Sequence, residues 1–497
     1  METVEAADES QVPSKRTPFD LDLPTKPLGG WAGWLGPLSV TGLAALLRLP
    51  NLGQPHAVIF DETYYVKDSL ALLKYGYEQK VIKNADEVLL ANHSYFFPNI
   101  FTDGASYIVH PPVGKWIIGI GELAFGANPF GWRIAVAVLG ILSVLLTARI
   151  ARRLTNSNFI GTVAGFLLAI DGLHIVMSRT ALLDTSLSFF ALCAFGFLIL
   201  DRDSANSGNS KKWRWAMVGA LGLACATKWS GLYFATAFGT LMLVWDYERR
   251  SKRLEGFRVW LIKDFLPALA MPFAIIAIYI SSWVGWFRSA GGWNRNWAQE
   301  NHVTSWLPDS LVSLLHYHKD MLSFHTHLVT PHSYASNPWT WPLMIRPTSF
   351  FYETAATCGK DSCSQEVIPL GNPLIWWTGV VGLLVMIYCA VARRHSAALP
   401  IAVAFAAGWV PWLFFAKRTT FSFYSVAFIP YTVMALALLL YFANTRVQFS
   451  KPIAWRWPTI VFLLVTAALT AFFYPILTGQ SIPYDMWHMR MWLPSWI

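Results

Sequence analysis

Within the thirteen residues His56 to Asp68, HAVIFDETYYVKD, three carboxylates (Asp61, Glu62 and Asp68) follow directly on the first strongly apolar run of the chain. Carboxylates beside a lipid surface need a reason, and proton transfer to or from a reacting group is the chemistry that suits them. From Glu62 onward Val66, Leu70, Leu73 and Tyr77 recur at helical spacing, the pattern of an amphipathic helix lying on a membrane surface. Asp61 then falls at the N-cap, where it could simply close the helix start while Glu62 favours the dipole. Neighbours on a helix point about 100° apart, so one carboxylate can face a substrate while the other holds backbone.

Cations that could meet an anionic ligand recur near the same loop. His110-Pro111-Pro112-Val113-Gly114-Lys115-Trp116 reads as the start of a second interfacial helix, with Lys115 close to free backbone N–H groups that suit a phosphate, or else reaching for lipid headgroups. Arg48 and Arg133 sit at the outer ends of apolar runs, against the bias of basic residues toward the cytoplasm, and each should need a partner or a lipid phosphate. Arg179 and Asp184 flank a turn expected at 171–180, as an ion pair or as parts of a site. Arg418, between two late apolar runs, is a candidate for a donor phosphate. His316, His318, His325, His327 and His332 fall within seventeen residues. No HExxH pattern accompanies them, so acceptor or headgroup recognition is expected there, with a divalent metal left open and no cofactor required.

What must position these residues is a membrane-embedded frame. Hydrophobic residues make up 55% of the 497 and charged residues 13%, and the 25 tryptophans suit the headgroup level. The net charge of +9 is spread in short clusters between apolar runs, which argues against nucleic acid as partner. Apolar runs predict about eleven spans, near 31–50, 131–150, 158–177, 181–200, 214–228, 230–247, 262–283, 373–391, 397–415, 421–442 and 457–477. The stretch 214–247 is flanked by basic clusters on both sides and is expected to turn tightly near Lys228. Residues 1–30 read as a disordered cytoplasmic tail. Two long segments, 51–130 and 284–372, and the tail 478–497 are expected outside the cytoplasm. There a disulfide between Cys358 and Cys363 would be favoured, and Asn92-His93-Ser94 has the form of a glycosylation sequon. A transporter would place its charges near the bilayer midplane, whereas these lie at the ends of runs.

FDETYYVKD, HPPVGKW, PFGWRIAVAVLG, SRTALLDTSLSFF and the text LLHYHKDM … HSYASNPWTWPL together resemble, in order and spacing, the protein O-mannosyltransferases of glycosyltransferase family 39. The likeness runs over nearly the whole chain from about residue 31 and is nearest to bacterial members; 284–372 is too short for the MIR domain of fungal and animal members. The resemblance implies an all-α polytopic protein of the GT-C glycosyltransferase fold, with about eleven transmembrane helices and interfacial helices in the first outer loop. It implies a polyprenyl-phosphate-mannose donor and Ser/Thr hydroxyls of exported polypeptides as acceptors, met during translocation at the outer face of the plasma membrane. A glycan or lipid acceptor is the alternative. By the same resemblance Asp61 is the general base and Glu62 its support. The resemblance also sets Arg48 and Arg133 around the lipid phosphate and acidic loop and Lys115 in the HPPxGK motif; from the residues themselves Arg418 is expected to join them at the donor phosphate, and His110, Arg179, Asp184, His318 and His325 to support the site.

Overall fold

The computed structural model describes residues 29–91, 97–206, 211–354, 357–360, 362–393, 395–446 and 457–497. The N-terminal tail up to residue 28, the sequon at Asn92 and the basic residues Arg394, Lys451 and Arg456 lie outside the described residues.

Every apolar run singled out above is helical. Pro129–Thr155, Leu183–Ala205, Phe257–Ser281, Pro373–Ala392 and Trp457–Thr478 are long and apolar enough to cross a membrane. Ala398–Leu413 and Ile429–Ala443 are shorter apolar helices, and Ala32–Arg48 has 17 residues. The run at 158–177 is a bent pair, Asn158–Ala169 and Gly172–Arg179, with a 61° angle between its parts. The bend has a local cause: the Asp171 side chain accepts from the His174 N–H at 2.9 Å and starts a new helix. The open turn expected at 171–180 is thus a fully buried helical segment, and the reversal comes at Thr180–Leu182.

Two close approaches bring distant motifs together. Lys212–Cys225 and Gly231–Lys252 are joined by a tight turn in which the Lys228 N–H donates to the Ala224 carbonyl. Gly231 is needed here, since a Cβ would lie 2.6 Å from the Ala224 carbonyl carbon. The helix Val113–Phe125 starts directly after Pro112, and its first N–H donates to Ala226 in that same turn. A Cβ on Gly114 would come within 2.7 Å of Leu183 and 3.0 Å of Thr227. The HPPVGK motif therefore docks its helix start against the Lys228 turn, which explains a glycine between proline and lysine.

The second long segment is not loop throughout. It holds the helix Asp309–His327 and strands Phe351–Glu353 and Cys363–Val367, and the C-terminal strand Ser481–Pro483 completes a three-stranded antiparallel sheet. Cys358 and Cys363 form a disulfide beside the middle strand. The tail packs onto this segment: Trp487 donates to Glu366 at 2.6 Å and the buried Trp496 donates to the Met344 carbonyl at 2.9 Å.

Candidate active site

The acid pair divides into two different environments. Glu62 begins the helix Glu62–Tyr75 and is fully buried; its carboxylate accepts from Arg133 Nε and Nη2, both at 2.8 Å, and from the N–H groups of Ile59 and Ala181. Its oxygens are saturated, which makes it a strut for the loop. Asp61 holds the N-cap position with helical φ and ψ, and its side chain makes no capping hydrogen bond. Phe60, just before it, has φ +48°, a conformation costing on the order of 1–3 kcal/mol for a non-glycine residue. Stacking on Phe350 at 4.7 Å and edge contact with Phe423 at 5.4 Å hold it there. Burial pushes the Asp61 carboxyl up to about 6; Lys228 opposes the rise, Asp184 adds to it, and a hydrogen bond from Tyr65 opposes it. Among the described residues Asp61 makes no salt bridge, so its carboxylate is the one of the pair free to accept a proton.

Three cations expected around a phosphate, Arg133, Arg48 and Lys115, and a fourth expected to support the site, Arg179, are enclosed by the protein itself. Beyond Glu62, Arg133 donates to the carbonyls of Leu52, Pro55 and Ala57 and has no exposed surface. Arg48 is buried against the carbonyls of Ala44, Leu168 and Ala169 and against His174 Nδ1 at 2.8 Å. Arg179 donates to the carbonyls of Arg48, Pro50 and Asn51 and does not pair with Asp184. Lys115 is buried between Glu78 at 2.8 Å and Asp68 at 3.1 Å. None of the four turns its charge to open space: Arg133, Arg179 and Lys115 tie down the first loop, whose free carbonyls would otherwise be stranded, and Arg48 ties the end of the first helix to the bend at 168–174.

Asp184 pairs instead with Lys228, at 2.8 and 3.0 Å to its two oxygens. Lys228 Nζ also lies 4.5 Å from the Tyr424 ring centre and lines a cavity with His110, Trp229, Ser230, Tyr233, His325, Trp412 and Arg418. Asp61, half-buried, is within electrostatic reach of Lys228 and Tyr424, which line the cavity, and is not itself a lining residue. Arg418 faces the cavity with no carboxylate partner among the described residues; its Nη2 lies 3.3 Å from His325 Nδ1 and its Nε is buried without a partner. The histidine rings facing this space are neutral: burial first, then Lys228 among nearby cations, pushes His110 well below its usual value, and burial takes His325 to about 4.

His318 lies away from the cavity, donating to the Leu314 carbonyl and accepting from Tyr279, while His316 stacks on Trp297 at 3.7 Å and His327 bonds the Ser323 carbonyl. The histidines are thus engaged one by one, and among the described residues no three His, Cys, Asp or Glu side chains converge as a metal site. Lys228 is the site residue that sequence reasoning used only as a turn. A lysine isolated between two apolar helices was the available clue.

Two family models cover most of the chain. Residues 38–282 match the dolichyl-phosphate-mannose-protein mannosyltransferase model, and residues 310–496 match the C-terminal four-transmembrane region of protein O-mannosyltransferase. A polyprenol-phosphate-mannose–protein mannosyltransferase of Mycobacterium tuberculosis is 34% identical over 95% of this chain and 93% of its own length. The Mycolicibacterium smegmatis protein of the same name is 35% identical over 95% and 94%. The chain belongs to the protein O-mannosyltransferase family. Among solved structures, the Saccharomyces cerevisiae Pmt1–Pmt2 complex bound to the sugar donor has a TM-score of 0.69 at 16% identity, covering 95% of this chain and 93% of that one. ArnT from Cupriavidus metallidurans, bound to undecaprenyl phosphate, scores 0.53 over 88% and 64%. This protein O-mannosyltransferase is accordingly a helical membrane glycosyltransferase of the GT-C fold.

Proposed function

We propose that this protein O-mannosyltransferase moves mannose from a polyprenyl-phosphate-mannose lipid to Ser or Thr hydroxyls of exported polypeptides. The observation that carries it is the split acid pair: Glu62 saturated, Asp61 half-buried, without a salt bridge among the described residues, and within electrostatic reach of Lys228 at a cavity that also presents Arg418. As the acceptor oxygen bonds to the anomeric carbon, its proton passes to Asp61 and the bond from that carbon to the phosphate oxygen breaks. Attack opposite the leaving group turns a β-linked donor into an α-mannoside. Charge growing on the departing lipid phosphate is met by Arg418, with Lys228 adding its field. A carboxyl near 6 is mostly ionised at neutral pH yet basic enough to take a proton in the transition state. Arg133, Arg179 and Lys115 hold the loop that presents Asp61, Arg48 holds the helix end that leads into it, and none of the four makes contact with the lipid. The chain is a multi-pass plasma-membrane protein with a cytoplasmic N-terminus; the site and C-terminus face outward, so the oily tail stays in the bilayer while the sugar reaches the cavity.

The test is reconstitution. Purified protein in vesicles, given radiolabelled polyprenyl-phosphate-mannose and a Ser/Thr-rich peptide, should label the peptide, and a competing glycan or lipid acceptor should not divert the label. Transfer to the competitor alone would place the acceptor elsewhere.

A further inference from the structure

The cavity's open cation has one neighbour whose hydrogen-bonding state follows from its partners. His325 Nε2 lies 2.7 Å from the Val109 carbonyl, which can only accept, so that nitrogen carries the proton. Nδ1 is then a lone pair, and it faces Arg418 Nη2, which can only donate, at 3.3 Å. The ring is boxed in by His110, stacked at 5.2 Å, and by Trp229 at 5.6 Å. Among the described residues no carboxylate and no other side chain bonds the Arg418 guanidinium, which lies 5.9 Å from the Trp412 ring centre. Arg133 is fixed by Glu62 and three carbonyls and Arg179 by three carbonyls; at Arg418 a neutral imidazole does the fixing and leaves the positive charge uncancelled.

We infer that His325 is a positioning residue: its Nδ1 lone pair, set by the Nε2–H bond to Val109, aims Arg418 into the cavity for an anionic phosphate. An imidazole suits this better than a carboxylate, because it orients the guanidinium without neutralising the charge the phosphate must meet. The charged and titratable groups facing it are Arg418, Lys228 and His110, and burial with the two cations keeps it unprotonated down to about pH 4. The clamp therefore stays intact throughout the range in which Asp61 titrates. It presupposes the phosphate role proposed for Arg418.

Binding of radiolabelled polyprenyl phosphate, the lipid without its sugar, to the full-length protein in detergent separates the possibilities. His325→Asn keeps an acceptor near the Nδ1 position, whereas His325→Gln keeps a donor toward Val109 and loses the acceptor. Dissociation constants should rise about tenfold for His325→Gln, from loss of a preorganised side chain, and clearly less for His325→Asn. In an Arg418→Ala background His325→Gln should add nothing. The reverse order of the two variants, a further loss in that background, or no lipid-phosphate binding by the unaltered protein would overturn the clamp. If binding follows the pattern but no mannose is transferred, the proposed reaction fails and the clamp stands; if mannose is transferred and the pattern fails, the clamp alone falls.

Discussion

Arg133 and Arg418 are both arginines at the ends of apolar helices, yet their surroundings are opposite. Arg133 has no exposed surface and spends its donors on Glu62 and three carbonyls. Arg418 meets one imidazole and an open cavity. The same division separates Glu62 from Asp61. A charge near a membrane becomes a candidate for chemistry when the fold leaves its partner missing, and residue type alone does not say which charges those are.

Substitutions can break this contrast. The largest effect expected is that of Arg133→Ala, which leaves Glu62 buried without its countercharge; removing one partner of such a pair costs about 3–5 kcal/mol. Thermal unfolding in detergent should show that loss. Normal unfolding with weakened donor use would instead make Arg133 a phosphate ligand. Arg418→Ala should leave unfolding within about 0.5 kcal/mol of the parent. Its donor KM should rise roughly 10- to 100-fold, the range of a hydrogen bond to a charged group. Replacing Cys358 and Cys363 by serine should cost about 2 kcal/mol, given the short loop they close, seen as earlier protease cleavage of the outer segment.

The smallest effect is on pH dependence. Acid protonates Asp61 and removes the base, so kcat/KM should fall below about pH 6, approaching tenfold per pH unit. A midpoint near 4, the range of an ordinary exposed carboxylate, would contradict the burial of Asp61.

Much of the frame was legible in the chain because span length and apolar composition are local properties. The helix from Glu62, the hairpin at Lys228 and the helix after Pro112 all followed from such patterns. The pairing of charges was not legible. Lys115 finds Asp68 and Glu78, and Asp184 finds Lys228 rather than Arg179, because packing of the Val113–Phe125 helix against the 226–230 turn decides who meets whom. The 61° bend after Ala169 was hidden as well: within a long apolar run, Asp171 read as part of an outer turn and is in fact a buried cap.

The most direct measurement compares the two neighbouring acids, Asp61→Asn beside Glu62→Gln, with unfolding, polyprenyl-phosphate binding and mannose transfer recorded on each. Asp61→Asn should fold and bind the lipid like the parent while transfer falls by about 10²–10⁴, the range of a positioned base, and Glu62→Gln should lose stability first. Transfer by Asp61→Asn near the parent rate, in protein that folds and binds normally, would contradict the assignment of the free carboxylate as the base.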